Sequence, residues 1–191
     1  MKTVRNPFLI AMLCLIGAMA TSTFAADAKS PPKKGETVPD FELNELYSGE
    51  AVSLKDKLEE GPVVLVVLRG FPGKQCPACT QQVGGLLQNA DAISAAGAQV
   101  VMVYPGLGKD LEQRAREFFE KHKLPKGFIV VTDPDYGFTN KYNLRWDAPN
   151  ETAYPSTFVV GKEGKVKHVH TSKTHGNRTN PKEIVKALKE S

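Results

Sequence analysis

The sequence predicts an α/β domain, a central mixed β-sheet with helices on both faces, preceded by an N-terminal β-hairpin. Three observations predict it. Continuous apolar, β-branched runs such as Val63-Val64-Leu65-Val66-Val67-Leu68 suit strands buried on both faces. Between them lie segments whose apolar residues recur at helical spacing. The elements follow the order β-α-β-α-β-α-β-β-α, which gives a mixed sheet with helices packed against it.

In chain order, residues 38–43 and 51–54 form the hairpin, turning at Tyr47-Ser48-Gly49-Glu50. After the strand at 63–68, residues 80–96 read as one helix with Val83, Leu86, Leu87, Ala90 and Ile93 on its apolar stripe. Gly84 and Gly85 weaken it locally and Gly97 stops it. Residues 100–104 are a second buried strand. A helix over 110–123 follows, with Leu111, Ala115, Phe118 and Phe119 inward. A strand over 128–131 and a short helix over 135–142 come next. Residues 157–160 and 165–170 make a hairpin across Gly161-Lys162-Glu163-Gly164. The last helix starts at Asn180, with Pro181 in its first turn and Glu183 three residues on, and turns Ile184, Val185 and Leu188 inward.

The 191 residues, 41% hydrophobic and 24% charged, suffice for one globular domain with a proper core. The net charge of +4 is mild and no long basic run occurs, so a nucleic-acid partner is not expected. The first 25 residues differ in kind. Lys2 and Arg5 precede a short apolar run over 8–19, and Thr21-Ser22-Thr23-Phe24-Ala25-Ala26 supplies the small residues of a cleavage site. This reads as a secretory signal peptide cut near Ala25, followed by a flexible leader over 26–34 and the folded domain over 35–191. The apolar run is shorter than the roughly 20 residues a membrane-spanning helix needs, so no span is expected after cleavage. A secreted or periplasmic location follows.

Cleavage removes Cys14 and leaves two of the three cysteines, Cys76 and Cys79, spaced C-x-x-C. They lie between the end of a buried strand and the start of a helix. Unpaired N–H groups at a helix start stabilise a thiolate. Pro77 suits the first helical position, where its missing N–H is not needed. Cysteines three apart at a helix start close a Cys76–Cys79 disulfide with little backbone movement. Arg69 and Lys74 add positive charge. A structural bridge across so short a loop would stabilise little. A four-cysteine zinc site is excluded within one chain, and the histidines are distant in sequence, so neither metal nor cofactor is expected. The pair therefore reads as redox-active. His168 and His170 share one face of a strand and read as solvent-exposed edge residues, and the polar segment 171–180 reads as a surface loop. Arg145-Trp146-Asp147 is either a substrate rim or a packed loop.

Over residues 35–190 the chain resembles the thioredoxin-like superfamily, and within it the redoxin branch. That branch contains peroxiredoxins of the alkyl hydroperoxide reductase and thiol-specific antioxidant type as well as secreted thiol-disulfide oxidoreductases. The resemblance is carried by Gly35-Glu36-Thr37-Val38-Pro39-Asp40-Phe41-Glu42-Leu43, by Val52-Ser53-Leu54, and by Asp133-Pro134-Asp135 with the stretch to Tyr142. It implies a thioredoxin-like fold and a thiol-dependent oxidoreductase, with two ways to use the cysteines. Peroxiredoxins carry Pro-x-x-x-Thr-x-x-Cys. Pro72 and Cys79 stand at that spacing with Cys76 in place of the threonine, which makes Cys79 the peroxide-attacking residue. Thioredoxin-like oxidoreductases attack with the first cysteine, which makes Cys76 the nucleophile and Cys79 the resolving thiol.

Peroxiredoxins also place an arginine just before the strand that corresponds to Phe158-Val159-Val160. Here Tyr154-Pro155-Ser156-Thr157 stands there, and Pro155 resembles the cis-proline that presents backbone to substrate opposite the dithiol. The favoured expectation is thiol-disulfide exchange on a disulfide-bearing protein, with an upstream thiol reductant restoring the dithiol. The alternatives are an antioxidant peroxidase acting on hydroperoxides, with Cys79 attacking, and a copper chaperone using both thiols as soft ligands. No tryptophan precedes Cys76, where Gln75 stands. The central strand also lacks the acid that serves the resolving cysteine in thioredoxins. Arg145 is a candidate to replace the missing arginine.

Overall fold

A computed structural model describes residues 30–190. Its elements are β1 (Glu42–Asn44), β2 (Ala51–Ser53), α1 (Leu54–Glu60), β3 (Val63–Val67), α2 (Pro77–Gln88), α3 (Ala90–Ala95) and β4 (Gln99–Pro105). They continue with α4 (Leu111–Phe119), β5 (Phe128–Asp133), α5 (Gly137–Lys141), β6 (Ser156–Val160), β7 (Val166–Thr171) and α6 (Pro181–Lys189). The five-stranded sheet has the order β5-β4-β3-β6-β7. β3 runs parallel to β4, and β4 to β5, whereas β6 is antiparallel to both β3 and β7. β1 and β2 form a separate antiparallel pair.

β3 lies at the centre because each of its five residues is apolar and fully buried, as a strand covered on both faces requires. Val64 and Val66 join one core with Met102, Leu86, Ile93, Phe119 and Ile184, beneath α2, α3, α4 and α6. Val63, Leu65 and Val67 face the other way, into a core with Leu54, Phe138, Tyr142 and Phe158 beneath α1 and α5. The predicted mixed sheet with helices on both faces is what the chain forms.

Three local outcomes differ from the periodicity. The helix expected over 80–96 is two helices, and the break falls at Asn89 rather than at Gly84 or Gly85. The Asn89 side chain donates to the Gly85 carbonyl at 2.9 Å and turns the chain there. Gly85 serves packing, since a Cβ on it would lie 3.2 Å from the Pro181 ring. Helix α1 has no counterpart in the sequence reading. It is one short stretch after a strand, started by Ser53 Oγ accepting from Asp56 N at 3.0 Å. His168 and His170 are half-buried rather than solvated. His168 Nε2 has no hydrogen-bond partner among the described residues, and burial lowers the pKa of its ring.

The signal peptide over 1–25 and the first leader residues, 26–29, lie outside the described residues. Residues 30–34 run along the domain, with Pro31 and Pro32 half-buried and Gly35 N donating to Val166 O at 2.8 Å. Among the described residues no helix is long and apolar enough to cross a membrane.

The end of β5 depends on one buried carboxylate. Asp133 is fully buried and accepts from Phe138 N at 3.1 Å, Thr139 N at 3.0 Å and the Thr139 hydroxyl. Burial raises its pKa, and those three donors work against the rise. Asp133→Ala would leave two buried N–H groups unpaired at the start of α5. The expected loss is roughly 2–3 kcal/mol of stability in urea unfolding, whereas a change below about 0.5 kcal/mol would show that the turn re-pairs itself.

Candidate active site

The dithiol is placed by the segment that leaves β3. Leu68 N donates to Val103 O at 3.0 Å and Phe71 N to Pro105 O at 3.1 Å, so the chain stays against β4 beyond the end of the strand. Gly70 has φ +70°, and a Cβ there would lie 1.7 Å from Pro105 O, so only glycine allows this approach. The following loop is pinned through Gln75, which donates to Arg114 O at 2.9 Å and accepts from the Tyr104 hydroxyl at 2.7 Å. Gln75, which departs from the thioredoxin pattern just before Cys76, thus ties the loop to β4 and α4.

Cys76 is the N-cap of α2, Pro77 its first residue, and Cys79 lies inside the first turn. Both sulfurs are free thiols, and the residues are 4% and 2% exposed. Arg69 N donates to Cys79 Sγ at 3.4 Å. Arg178 Nη2 lies 3.9 Å from Cys76 Sγ and 3.8 Å from Cys79 Sγ.

These surroundings drive the two thiols apart. The hydrogen bond from Cys79 is the largest influence on Cys76. Burial opposes it, and the N–H groups of Cys79 and Ala78 and the charge of Arg178 reinforce it, bringing Cys76 down to about 5. Cys79 moves the other way, raised by its role as donor to Cys76, by burial and by the Cys76 charge, against the Arg69 N–H and Arg178. The negative charge of the pair therefore rests on Cys76, and Cys79 keeps its proton.

The remaining sequence candidates take varied places. Arg69 is 3% exposed; burial works against its charge, but Glu151 and, after it, the Cys76 sulfur raise its pKa, so its guanidinium serves the dithiol as well as the 145–153 loop. Its Nε donates to Glu151 Oε2 at 2.6 Å and its Nη2 to Asn150 O at 2.7 Å. Pro72 and Lys74 line a groove of about 490 Å³ with Arg69, Glu151 and His175. Tyr154 stacks on Trp146 with ring centroids 4.8 Å apart, and His175 packs on the same indole at 5.4 Å. Trp146 is therefore part of a packed loop.

Pro155 corrects an expectation. The described residues contain no cis peptide bond, so the Tyr154–Pro155 bond is trans. Tyr154 N donates to Leu144 O at 2.8 Å and Pro155 O accepts from Ser172 N at 2.9 Å, so the chain enters β6 already extended and paired. With its carbonyl engaged inside the fold, Pro155 does not offer that group to a substrate.

Arg145 does not replace the missing arginine. Its Nη1 donates to the carbonyls of Trp146, Glu151 and Thr152, and its guanidinium lies 4.1 Å from the Tyr136 ring centroid. It shapes the loop that carries Glu151. The arginine within 4 Å of both sulfurs is Arg178, which the sequence reading left in a surface loop, and Glu151 and His175 were likewise not singled out. No periodic pattern marks them, because a turn rather than a helix or strand presents each one. Among the described residues no three or more His, Cys, Asp or Glu side chains gather as a metal site, and the group joining the two cysteines is a guanidinium.

Comparison with known proteins gives the family and the fold. The profile of the AhpC/TSA family matches residues 34–169. Peroxiredoxin Bcp of Escherichia coli strain K12 is 29% identical over 146 residues, covering 73% of this chain and 86% of that protein. A chloroplastic peroxiredoxin Q of Sedum lineare is 31% identical over 143 residues, covering 73% and 69%. Among solved structures, the peroxidoxin BcpB of Mycobacterium tuberculosis superposes with a TM-score of 0.67 at 22% identity, over 83% of this chain and 97% of that one. A Chlorobium tepidum protein assigned as thiol:disulfide interchange protein DsbE superposes with a TM-score of 0.61 at 25% identity, over 82% and 99%. With its dithiol at the head of α2 in a thioredoxin-like sheet, the chain belongs to the AhpC/TSA family and is a thiol-dependent oxidoreductase.

Proposed function

We propose that the protein is a peroxiredoxin-like thiol peroxidase that attacks hydroperoxides with Cys76 and resolves with Cys79. The observation that carries this reading is the Arg178 guanidinium within 4 Å of both sulfurs. Cleavage of an O–O bond by a thiolate expels an alkoxide or hydroxide. A fixed cation beside the sulfur stabilises the charge as it moves onto that oxygen. Arg178 thus fills, from the loop after β7, the role the redoxin resemblance gives to an arginine near Pro155.

The steps balance. The Cys76 thiolate attacks the terminal oxygen of ROOH, the O–O bond breaks, and RO⁻ leaves to take a proton from solvent. Cys76 becomes a sulfenic acid. The Cys79 sulfur then displaces its hydroxyl, which departs as water with the Cys79 proton, and the Cys76–Cys79 disulfide forms. An external dithiol returns two electrons through thiol exchange. With residues 1–25 as a signal peptide, this takes place in a secreted or periplasmic compartment, where a dedicated reductant is required.

Thiol-disulfide exchange is the second reading. It is favoured by the C-x-x-C couple with its acidic thiol first and by the likeness to the DsbE-assigned protein. In it Cys76 attacks a substrate disulfide and Cys79 releases the mixed disulfide.

Two measurements bear on these readings. The rate of alkylation by iodoacetamide follows the thiolate, so it should rise with pH through about 5 and level off by neutrality. Cys79→Ala removes the hydrogen bond donated to Cys76 and should move that midpoint upward. A midpoint near the ordinary thiol range in the unaltered protein would contradict an activated Cys76. In the second measurement, the reduced protein is mixed with hydrogen peroxide under pseudo-first-order conditions. It should react far faster than free cysteine, Cys76→Ser should abolish the reaction, and Arg178→Ala should slow it about 10²–10³-fold. A rate equal to that of free cysteine, together with rapid reduction of a protein disulfide, would replace the peroxidase with the exchange reading.

A further inference from the structure

We propose that Glu151 and His175 are positioning residues that clamp the 172–180 loop so that Arg178 stays beside the two sulfurs. The inference rests on Cys76 being the attacking thiolate. Its physical content is a continuous polar chain from the central strand to the guanidinium. Arg69, at the exit of β3, holds Glu151 Oε2 at 2.6 Å, and the other carboxylate oxygen, Oε1, lies 2.6 Å from His175 Nε2. The Arg69 and Glu151 side chains are only 4% and 10% exposed, so this is a well-formed, largely desolvated pair. Burial works against the charge on Glu151, but the hydrogen bonds from Arg69 and His175 prevail and keep its carboxyl below the usual range.

The loop carrying His175 is compact in itself. Ser172 Oγ lies 2.9 Å from Thr174 O and 2.7 Å from Gly176 O, and it accepts from Thr174 N at 3.2 Å. His170 Nε2 lies 2.7 Å from Asn177 O and ties the same loop to β7. Arg178 Nη1 donates to Gly176 O at 2.8 Å, while its Nε is buried with no hydrogen-bond partner among the described residues. Among the described residues, and apart from the sulfurs, the guanidinium is hydrogen-bonded only to carbonyls of its own loop, so the position of the loop sets the position of the charge. His175 pairs this loop with the 145–153 loop through Glu151, and its ring also rests on Trp146.

The test measures the acidity of Cys76 without turnover, from thiolate absorbance against pH. His175 is 54% exposed, so its replacement leaves the core intact. Arg178→Ala should raise the Cys76 midpoint by roughly 1–3 pH units. His175→Ala should raise it by roughly one, a part of that effect. His175→Gln should restore it, because the amide N–H can reach Glu151. His175→Glu, which sets two carboxylates together, should exceed His175→Ala. Combined with Arg178→Ala, His175→Ala should add nothing further. An unchanged midpoint in His175→Ala, or an equal shift with and without Arg178, overturns the clamp. A low-pH transition that survives Cys76→Ser overturns instead the reading beneath it, whatever His175 does.

Discussion

Holding a negative charge on Cys76 in nearly dry surroundings is the constraint on which the site is built. Burial alone would keep both thiols protonated. The charge becomes tolerable because a neighbouring S–H, two N–H groups at the start of α2 and the guanidinium groups of Arg178 and Arg69 converge on a single sulfur. Each of these has to be held by something else, and the architecture around the dithiol is largely the means of holding them. α2 is oriented by burying Val83 and Leu86 against β3, and the 71–75 loop is fixed through Gln75 to Tyr104 and Arg114.

Three stretches of chain meet at this end of the sheet: the exit of β3, the 145–153 loop and the 172–180 loop. The parallel pairing of β3 with β4 and the antiparallel pairing of β3 with β6 bring them together, since the end of β3 lies beside the start of β6 and hence beside the end of β7. In open α/β sheets the crevice beyond the carboxyl ends of the parallel strands is where sites form. Here the crevice is braced by the stacked Trp146 and Tyr154 rings and by the Arg69–Glu151 pair. Removing one member of such a pair leaves an uncompensated buried charge, so the bracing and the electrostatics of the site are tied together.

What the sequence displays is periodic, and what it conceals is not. β3 was legible because five apolar residues in a row have one structural meaning at the centre of a sheet, and α6 because Asn180 and Pro181 mark a helix start chemically. The dithiol was legible because C-x-x-C before a helix has few readings. Arg178, Glu151 and His175 were not, because each acts across a gap in sequence closed only by the sheet order. Arg69 and Glu151 are 82 residues apart, and Arg178 is 102 from Cys76. Pro155 shows the same limit in reverse. A proline at a strand entry is visible in sequence, but its isomer depends on where its neighbours find partners, and Leu144 O and Ser172 N supply partners for an extended chain.

The placement of Arg178 separates two tasks that the resemblance to peroxiredoxins tends to merge. Its Nη2 is nearly equidistant from the sulfurs, at 3.9 Å and 3.8 Å, so its charge lowers both thiols and cannot choose between them. The choice is made by the hydrogen bond within the pair and by burial, with the backbone reinforcing it. Cys76, at the cap, faces the N–H groups of Cys79 and Ala78 and receives the thiol hydrogen bond. Cys79, one turn in, has the Arg69 N–H as its backbone donor and bears the heavier burial. On the proposed reading, selection of the nucleophile thus belongs to the dithiol and its helix start. On the proposed peroxidase reading, a cation shared by both sulfurs acts where negative charge leaves sulfur for oxygen, and the 172–180 loop then bears on the rate of the reaction rather than on which cysteine begins it.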